Sequence, residues 1–296
     1  MIKAFFSIIF NSYLTVPSLN INMSALISIS EFEAKLSNPN LIILDATIDK
    51  VNQKIDNSNF QVIPNSLFFD IENDFSDKSS SLPHTVPTTE SFNTKTQQLG
   101  INRESIIVIY DRWGVYSSPR AWWLFKYMGH KEVYVLNGGL PAWQTNGLAT
   151  TTSYISASQK GTFIANPQIK WLTDTACVLN NIGIDTTKII DARGTGRFYG
   201  TSPEPRIGIR SGHIPASSNL PFENVLHYTH MKSKNELKEL FASHLNQEGL
   251  NIFLCGSGIT ASILALAANE ANYKQITVYD GSWTEWGGNH DLPVEL

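Results

Sequence analysis

The stretch Asn251-Ile-Phe-Leu-Cys-Gly-Ser-Gly-Ile-Thr-Ala261 passes from a short apolar run, through a glycine-rich loop, into a helix-like run that continues to Ala271. This order predicts a strand, a loop and a helix, with Cys255 at the end of the strand. Loop N–H groups and the positive end of the helix dipole stabilise negative charge there, which suits a thiolate nucleophile. A lone cysteine beside an apolar strand also fits an unreactive buried thiol, so the loop alone leaves both interpretations open.

The chain repeats itself at a nearly constant offset, which indicates two tandem copies of one domain. Residues 41–46 match residues 188–192, and each run ends in Asp-Ala. The equivalent pairs, with their separations, are Asp45 and Asp191 (146), Asp111 and Cys255 (144), and Trp143 and Trp286 (143).

The repeat sets the predicted domain boundaries. Residues 24–147 form the first domain and residues 171–296 the second. Residues 148–170 are rich in Thr, Ser, Ala, Gln and Asn without clear periodicity, and they are interpreted as the linker. Residues 1–23 carry a short, interrupted apolar run without a clear cleavage site, and we expect a disordered or dispensable extension.

Within each copy, apolar runs alternate with helix-like segments. This pattern predicts an α/β fold of two tandem domains, each a mostly parallel sheet flanked by helices. Ligands bind beyond the carboxyl ends of the strands in such sheets, and Cys255 occupies that position. The first copy holds Asp111 there, which has no thiol. We therefore expect a silent first domain, a catalytic second domain and an active site between them.

Composition excludes several classes of function. The formal net charge of -4, without a run of Lys and Arg, argues against a nucleic-acid or membrane partner. Two cysteines suit a reducing compartment, and a cytoplasmic location is predicted. Cys177, on a helix-like stretch without flanking glycines, is predicted to pack in the core. The seven scattered histidines indicate neither a metal site nor a metal cofactor.

Four arginines, Arg193, Arg197, Arg206 and Arg210, lie in one loop-rich segment that the fold brings toward Cys255. Arginine binds carboxylates in a bidentate manner, so these residues fit either an anionic substrate or ion pairs that fix the loop. Arg193 is assigned to an ion pair, and Arg210 remains open between the two roles. Arg197 and Arg206 are the candidates for the substrate.

Two hydroxyl side chains lie in or beside the cysteine loop. Ser257 and Thr260 are candidates to donate hydrogen bonds to a persulfide or a leaving group, and capping of the following helix is the preferred role of Thr260. A cysteine phosphatase needs an arginine six residues after its nucleophile, and position 261 is Ala. A papain-like thiol hydrolase needs a sequence context that Cys255 lacks.

The chain closely resembles the 3-mercaptopyruvate sulfurtransferases of the rhodanese superfamily in four segments, residues 118–123, 206–215, 255–261 and 280–287. The resemblance extends from about Ser24 to the end of the chain. It implies a sulfurtransferase with two rhodanese domains and a Cys255 persulfide. It also implies that Arg197 and Arg206 bind the donor carboxylate. Gly256, Gly258, Ile259 and Thr260 would form the substrate-binding loop, with Ser257 assisting catalysis.

The implied reaction moves sulfur from 3-mercaptopyruvate to a thiol such as thioredoxin, or to cyanide, and releases pyruvate. The loop is uncharged, which favours mercaptopyruvate over thiosulfate as the donor. A thiosulfate sulfurtransferase and a lapsed sulfur carrier or binding module remain as alternatives.

One departure concerns a proton relay. Relatives carry a histidine of the first domain in a His-Ile-Pro segment, proposed to act with the loop serine, and this chain has Val62 instead. We expect either that Ser257 works with water or with another group, or that turnover is slower.

Overall fold

The computed structural model describes residues 24–296, so the predicted extension at residues 1–23 lies outside the described range. The first domain contains five strands and four helices within that range. Its strands are β1 Leu26–Ile27, β2 Leu41–Asp45, β3 Ser66–Phe68, β4 Ile106–Tyr110 and β5 Val133–Leu136. Its helices are α1 Ile29–Glu33, α2 Thr89–Gln98, α3 Ser118–Tyr127 and α4 Gly139–Thr145.

The second domain repeats this plan and adds a small hairpin. Its strands are β6 Leu172–Thr173, β7 Thr187–Asp191, β8 Ser218–Asn219, β9 Leu226–His227, β10 His230–Met231, β11 Leu250–Leu254 and β12 Ile276–Tyr279. Its helices are α5 Thr175–Asn180, α6 Thr195–Phe198, α7 Lys234–Phe241, α8 Ile259–Glu270 and α9 Ser282–Gly288. Single 3₁₀ turns occur at Ile169–Trp171 and Phe222–Val225.

The two main sheets have the same topology. The strand order is β1-β5-β4-β2-β3 in the first domain and β6-β12-β11-β7-β8 in the second, and every pairing in both sheets is parallel. Strand β4 therefore corresponds to β11, and the loops after them begin with Asp111 and Cys255. The prediction of duplicated parallel sheets flanked by helices is confirmed.

One hydrophobic core joins the inner faces of the two domains. Alternate residues of β4 divide between two layers: Ile107 and Ile109 face this shared core, whereas Val108 and Tyr110 face the outer helices of the first domain. Helices α3 and α8 pack against each other at the centre of the core. Both helices are apolar around almost their whole circumference because each is covered on all sides.

The linker predicted at residues 148–170 lies along the first domain. Val62 and Thr151 pair as an antiparallel bridge, and the backbone N–H of Gly161 donates to the carbonyl of Gln97. The long connection therefore spans the distance between the domains while its own backbone groups find partners.

Three further observations concern Cys177, membrane-spanning helices and metal-binding groups. Cys177 is half-buried on α5, where its sulfur contacts Asn181, so the prediction of core packing is wrong. Among residues 24–296, no helix is long and apolar enough to cross a membrane. The same range contains no group of three or more His, Cys, Asp or Glu side chains placed to hold a metal ion.

Candidate active site

Cys255 lies directly after β11, in a loop that ends at Gly258, and α8 begins at Ile259. The strand, loop and helix predicted from the sequence are all present. Gly258 is the N-cap of α8 with φ of 83°, a left-handed conformation that favours glycine. The Cys255 side chain faces the interdomain cavity with only 2% of the residue exposed, because the loop closes around it.

The first turn of α9 holds the cysteine loop from behind. The N–H groups of Trp283 and Thr284 donate to the carbonyls of Cys255 and Gly256, at 2.9 and 3.0 Å. In the opposite direction, the N–H of Cys255 donates to Ser282 Oγ at 3.2 Å. These bonds fix the loop backbone and occupy its first two carbonyl groups.

The loop N–H groups remain as donors. Those of Gly256, Ser257 and Gly258 have no acceptor among residues 24–296. Donors gathered at the start of a helix stabilise an anion, as the sequence predicted for a thiolate.

The first domain shows how this position binds negative charge. The Asp111 carboxylate occupies the place of the thiol, and backbone N–H groups surround it. Its Oδ2 accepts from the N–H groups of Tyr116 (2.8 Å), Ser117 (3.0 Å) and Ser118 (2.9 Å). The first domain therefore fills its own anion site with a side chain, whereas the second domain leaves the equivalent donors to the sulfur of Cys255.

Cys255 opens into a cavity of about 670 Å³ between the two domains. The first domain contributes Ile48, Glu72, His84 and Tyr116 to its wall, which confirms the expected interdomain site. The second domain contributes the cysteine loop with Ile259 and Thr260, and the arginines at positions 193, 197 and 206. The volume suits a small organic substrate.

The two predicted substrate arginines differ in their surroundings. Arg197 donates from Nε and Nη2 to both carboxylate oxygens of Glu204, at 3.1 and 2.5 Å, and this ion pair was not expected. Arg193 also donates to Glu204, at 2.7 Å. Arg206 has no carboxylate partner among residues 24–296, and its one hydrogen bond is to Thr284 Oγ1 at 3.3 Å. Among the three arginines on the cavity wall, Arg206 is therefore the one without a carboxylate partner.

The remaining arginines fix the loop. Arg193 is buried against Asp191 at 2.6 Å and stacks on the Trp283 ring, as expected for a structural ion pair. Arg210 donates to the backbone carbonyls of Trp286, Gly287, Asn289 and Leu292. It thereby ties the arginine segment to the C-terminal residues.

Thr260 does not cap α8. The helix has Gly258 at its N-cap and no side-chain cap, and Thr260 lies inside the first turn, on the cavity wall. Because the left-handed glycine turns the chain directly into the helix, the capping prediction is wrong. The hydroxyl of Thr260 stays available to a substrate.

Ser257 has a partner that the sequence analysis did not assign. Nδ1 of His84, from the first domain, lies 2.9 Å from Ser257 Oγ. Val62 is buried, pairs with Thr151 and does not line the cavity. His84 is therefore the histidine of the first domain that lies beside Ser257.

The surroundings of His84 keep its imidazole neutral. Burial lowers its pKa to about 4, and the positive charges of Arg120 and Arg206 act in the same direction. Glu72 Oε1 lies 3.9 Å from Nε2, too far for a hydrogen bond but close enough to favour the proton on Nε2. Nδ1 is then the acceptor, and Ser257 donates to it.

An arginine of the first domain holds the His84 segment in place. Arg120, fully buried in α3, donates from Nη2 to the carbonyl of His84 and to Asp280 Oδ1 at 2.7 Å. The other oxygen of Asp280 accepts from the N–H of Val86 at 2.8 Å. One buried ion pair thus joins α3, residues 84–86 and the segment before α9.

Local signals for these residues were weak. His84 lies between Pro83 and Pro87, and Arg120 lies in residues 118–123, but the sequence around neither residue indicates a contact near Cys255. Their partners are 173 and 160 residues away along the chain.

The fold and the site define a class: two-domain α/β enzymes in which one domain carries a cysteine at a strand end and its silent copy completes the cavity. The chain belongs to the rhodanese family, since the family model for the rhodanese-like domain matches residues 28–146 and 174–289.

Named relatives agree with this assignment. The chain is 37% identical to thiosulfate/3-mercaptopyruvate sulfurtransferase 1, mitochondrial, of Arabidopsis thaliana, over 91% of this chain and 77% of that protein. It is 35% identical to 3-mercaptopyruvate sulfurtransferase of Escherichia coli K12, over 88% and 94%. The crystal structure of SseA from Escherichia coli superposes with a TM-score of 0.79 at 30% identity, covering 88% of this chain and 99% of that one.

Proposed function

We propose that this chain transfers sulfur from 3-mercaptopyruvate to a thiol through a persulfide on Cys255 and releases pyruvate. One observation carries the proposal: Cys255 lies in an uncharged loop of N–H donors, at a cavity where the guanidinium of Arg206 has no carboxylate partner. The names of the relatives support the same donor.

The charges around Arg206 favour a donor with one carboxylate. The arginines Arg193 and Arg197 pair with Asp191 and Glu204, so Arg206 is the arginine beside the cysteine loop that is left without a carboxylate. The carboxylate of mercaptopyruvate matches this one unpaired guanidinium better than the thiosulfate dianion does. Arg197 keeps Nη1 for the substrate, because its Nε and Nη2 are held by Glu204.

In the first half-reaction, the Cys255 thiolate attacks the donor sulfur. The new S–S bond forms as the C–S bond breaks, and the electron pair leaves on carbon as the enolate of pyruvate. Protonation of the enolate carbon completes pyruvate. We assign the relay of that proton to Ser257 and neutral His84, which lie within hydrogen-bond distance of each other.

In the second half-reaction, an acceptor thiolate attacks the outer sulfur, and the Cys255 thiolate leaves. A protein thiol such as thioredoxin is the proposed acceptor, in a reducing and cytoplasmic setting where Cys177 and Cys255 stay free. The covalent intermediate predicts ping-pong kinetics.

The test is to incubate the protein with 3-mercaptopyruvate and to measure pyruvate release together with the mass of the Cys255 peptide. We expect stoichiometric pyruvate without an acceptor and a mass increase of one sulfur. Cys255→Ser should abolish both signals, whereas the matched control Cys177→Ser should keep them. Absence of both pyruvate and adduct in the unmodified protein contradicts the proposal.

Thiosulfate is the second candidate donor, because the Arabidopsis relative is named for both compounds. The ratio of kcat/KM for the two donors decides between them, and we expect mercaptopyruvate to be preferred. A protein that loads Cys255 but never passes the sulfur to any thiol would instead be a sulfur carrier.

A further inference from the structure

A second interdomain cavity, of about 530 Å³, lies at the carboxyl ends of α3 and α8. Its wall includes five basic side chains and no Asp or Glu: Arg103, Lys126, Lys131, Lys170 and Lys274. None of the five forms an ion pair within residues 24–296. The whole chain has 26 acidic residues and 22 Lys and Arg, so this cavity holds a local excess of positive charge. The five residues are far apart in the sequence, and no run of basic residues predicts the excess.

The cavity lies at the other end of the helix pair from Cys255. The amino ends of α3 and α8 meet where Arg120 approaches Gly258, and the carboxyl ends supply Lys126 and Asn269 to the basic cavity. Helix α8 has 12 residues, so the two ends are about 18 Å apart. The first domain, the linker and the second domain all contribute cations.

A buried imidazole on the same wall lacks a partner. His130 is 3% exposed, and its Nδ1 has no hydrogen bond, whereas Nε2 lies 3.4 Å from the carbonyl of Asn102. Burial lowers the pKa of His130 to about 4, so the ring is neutral. With Nε2–H directed at a carbonyl, Nδ1 is an acceptor that needs a hydroxyl or amino donor.

We propose that this basic cavity binds a small, multiply charged organic phosphate, with its phosphates on the lysines and a hydroxyl or amino group donating to His130. Nucleoside polyphosphates are the class that combines these features. The lysine ammonium is a compact charge on a flexible side chain and binds phosphate without a fixed geometry. Several lysines around one concave site can therefore bind more than one phosphoryl group.

Simpler explanations account for part of the arrangement. Lys126 lies in the last turn of α3, where a cation is favourable beside the helix carboxyl end. That explanation does not extend to Lys170 in the linker or to Lys274 after α8. The neighbouring carboxylate, Glu132, accepts from the Tyr134 hydroxyl at 2.8 Å and forms no ion pair with the lysines.

The test measures binding of ADP and of inorganic pyrophosphate to the full chain by calorimetry at low and at physiological salt. We expect Kd values below 1 mM for ADP and at least a tenfold weakening in Lys170→Gln/Lys274→Gln. Lys234→Gln/Lys238→Gln on α7 changes the net charge equally, away from the cavity, and should alter Kd less than twofold. Bound ADP should also raise the melting temperature, because it bridges the two domains.

The outcomes separate the alternatives. Absence of binding, or equal weakening by the two lysine pairs, overturns the site. His130→Phe, which preserves packing between Phe125 and Phe163, should weaken ADP several-fold and leave pyrophosphate unchanged. An unchanged ADP affinity in a folded His130→Phe protein overturns the role of His130. The lysine pair still tests the site if that variant does not fold.

Discussion

Replacement of Arg120 by Met tests whether the silent domain positions the relay. The guanidinium is fully buried, and its Nη2 bonds both the carbonyl of His84 and the carboxylate of Asp280. Met keeps most of the side-chain volume but removes every donor. The variant leaves Asp280 buried without its cation, and the carbonyl of His84 loses its donor, while the N–H of Val86 keeps Asp280 as its acceptor.

The expected loss of stability follows from the burial of the pair. Removal of one partner from a buried ion pair costs about 3–5 kcal/mol, because the other charge stays desolvated. For a chain of this size, each kcal/mol lowers the melting temperature by about 2–4 °C, so a fall of about 10 °C is expected. As a control, Lys95→Met breaks the partly exposed pair with Asp74 and should cost less than about 1 kcal/mol.

The expected loss of activity concerns turnover more than substrate binding. Arg120 lies against Gly258 at the back of the cysteine loop, but its hydrogen bonds go to His84 and Asp280, so KM for mercaptopyruvate should change less than kcat. Loosening His84 should reduce kcat by about tenfold, less than the factor of about 10²–10⁴ that a positioned acid or base contributes, because the imidazole is displaced and not removed. Steady-state assays on folded protein give both constants.

A second variant separates positioning from folding. Arg120→Met/Asp280→Asn removes the unpaired charge, so it should regain much of the stability while kcat stays low. Recovery of kcat in parallel with stability would show that Arg120 acts only on folding. An unchanged kcat in Arg120→Met would refute the positioning role altogether.

Three other predictions follow from the same site. The pKa of His84 is lowered from 6.5 to about 4, so the unfolded chain binds more protons between those pH values. The free energy of unfolding should therefore fall as pH falls from about 6.5 to 4. Denaturant titrations of His84→Gln should show a weaker dependence of this free energy on pH. The same variant should have a kcat reduced about 10- to 100-fold. Arg197→Ala should weaken mercaptopyruvate use more than thiosulfate use in kcat/KM, and an equal loss would make Arg197 structural. Gly258→Ala should cost about 1–2 kcal/mol and slow persulfide formation in stopped-flow assays, because φ is 83° and the new Cβ would lie 2.7 Å from Arg120 Nη1.

The fold was predictable because its signals are local and occur twice. Apolar runs that end in Asp-Ala mark β2 and β7, and the glycine-flanked Cys255 marks the turn into α8. Each pattern is weak alone, but its recurrence at a constant offset supports the same assignment of strands and helices in both copies.

The contents of the site were less predictable because they depend on contacts between the copies. Neither the His84 contact with Ser257 nor the ion pair of Arg120 with Asp280 leaves a periodic trace in the sequence. The ion pair of Glu204 with Arg197 was also not predictable from the sequence. The two residues are seven positions apart, and their contact depends on the conformation of the loop between them. The basic cavity likewise collects side chains from positions 103 to 274.

The comparison of Asp111 with Cys255 shows how the two copies use one geometry differently. Both strand ends gather N–H donors, and the first domain satisfies them with its own carboxylate, so that site cannot accept a substrate anion. The carboxylate thereby ties its loop to the start of α3, and α3 presents Arg120 across the interface. The same anion-binding geometry thus has two uses. In the first domain it is occupied by Asp111 and supports the helix whose Arg120 holds His84. In the second domain it surrounds the sulfur of Cys255. Loss of the carboxylate in Asp111→Ala would leave the three N–H donors without an acceptor, and should disturb the Cys255 site through α3.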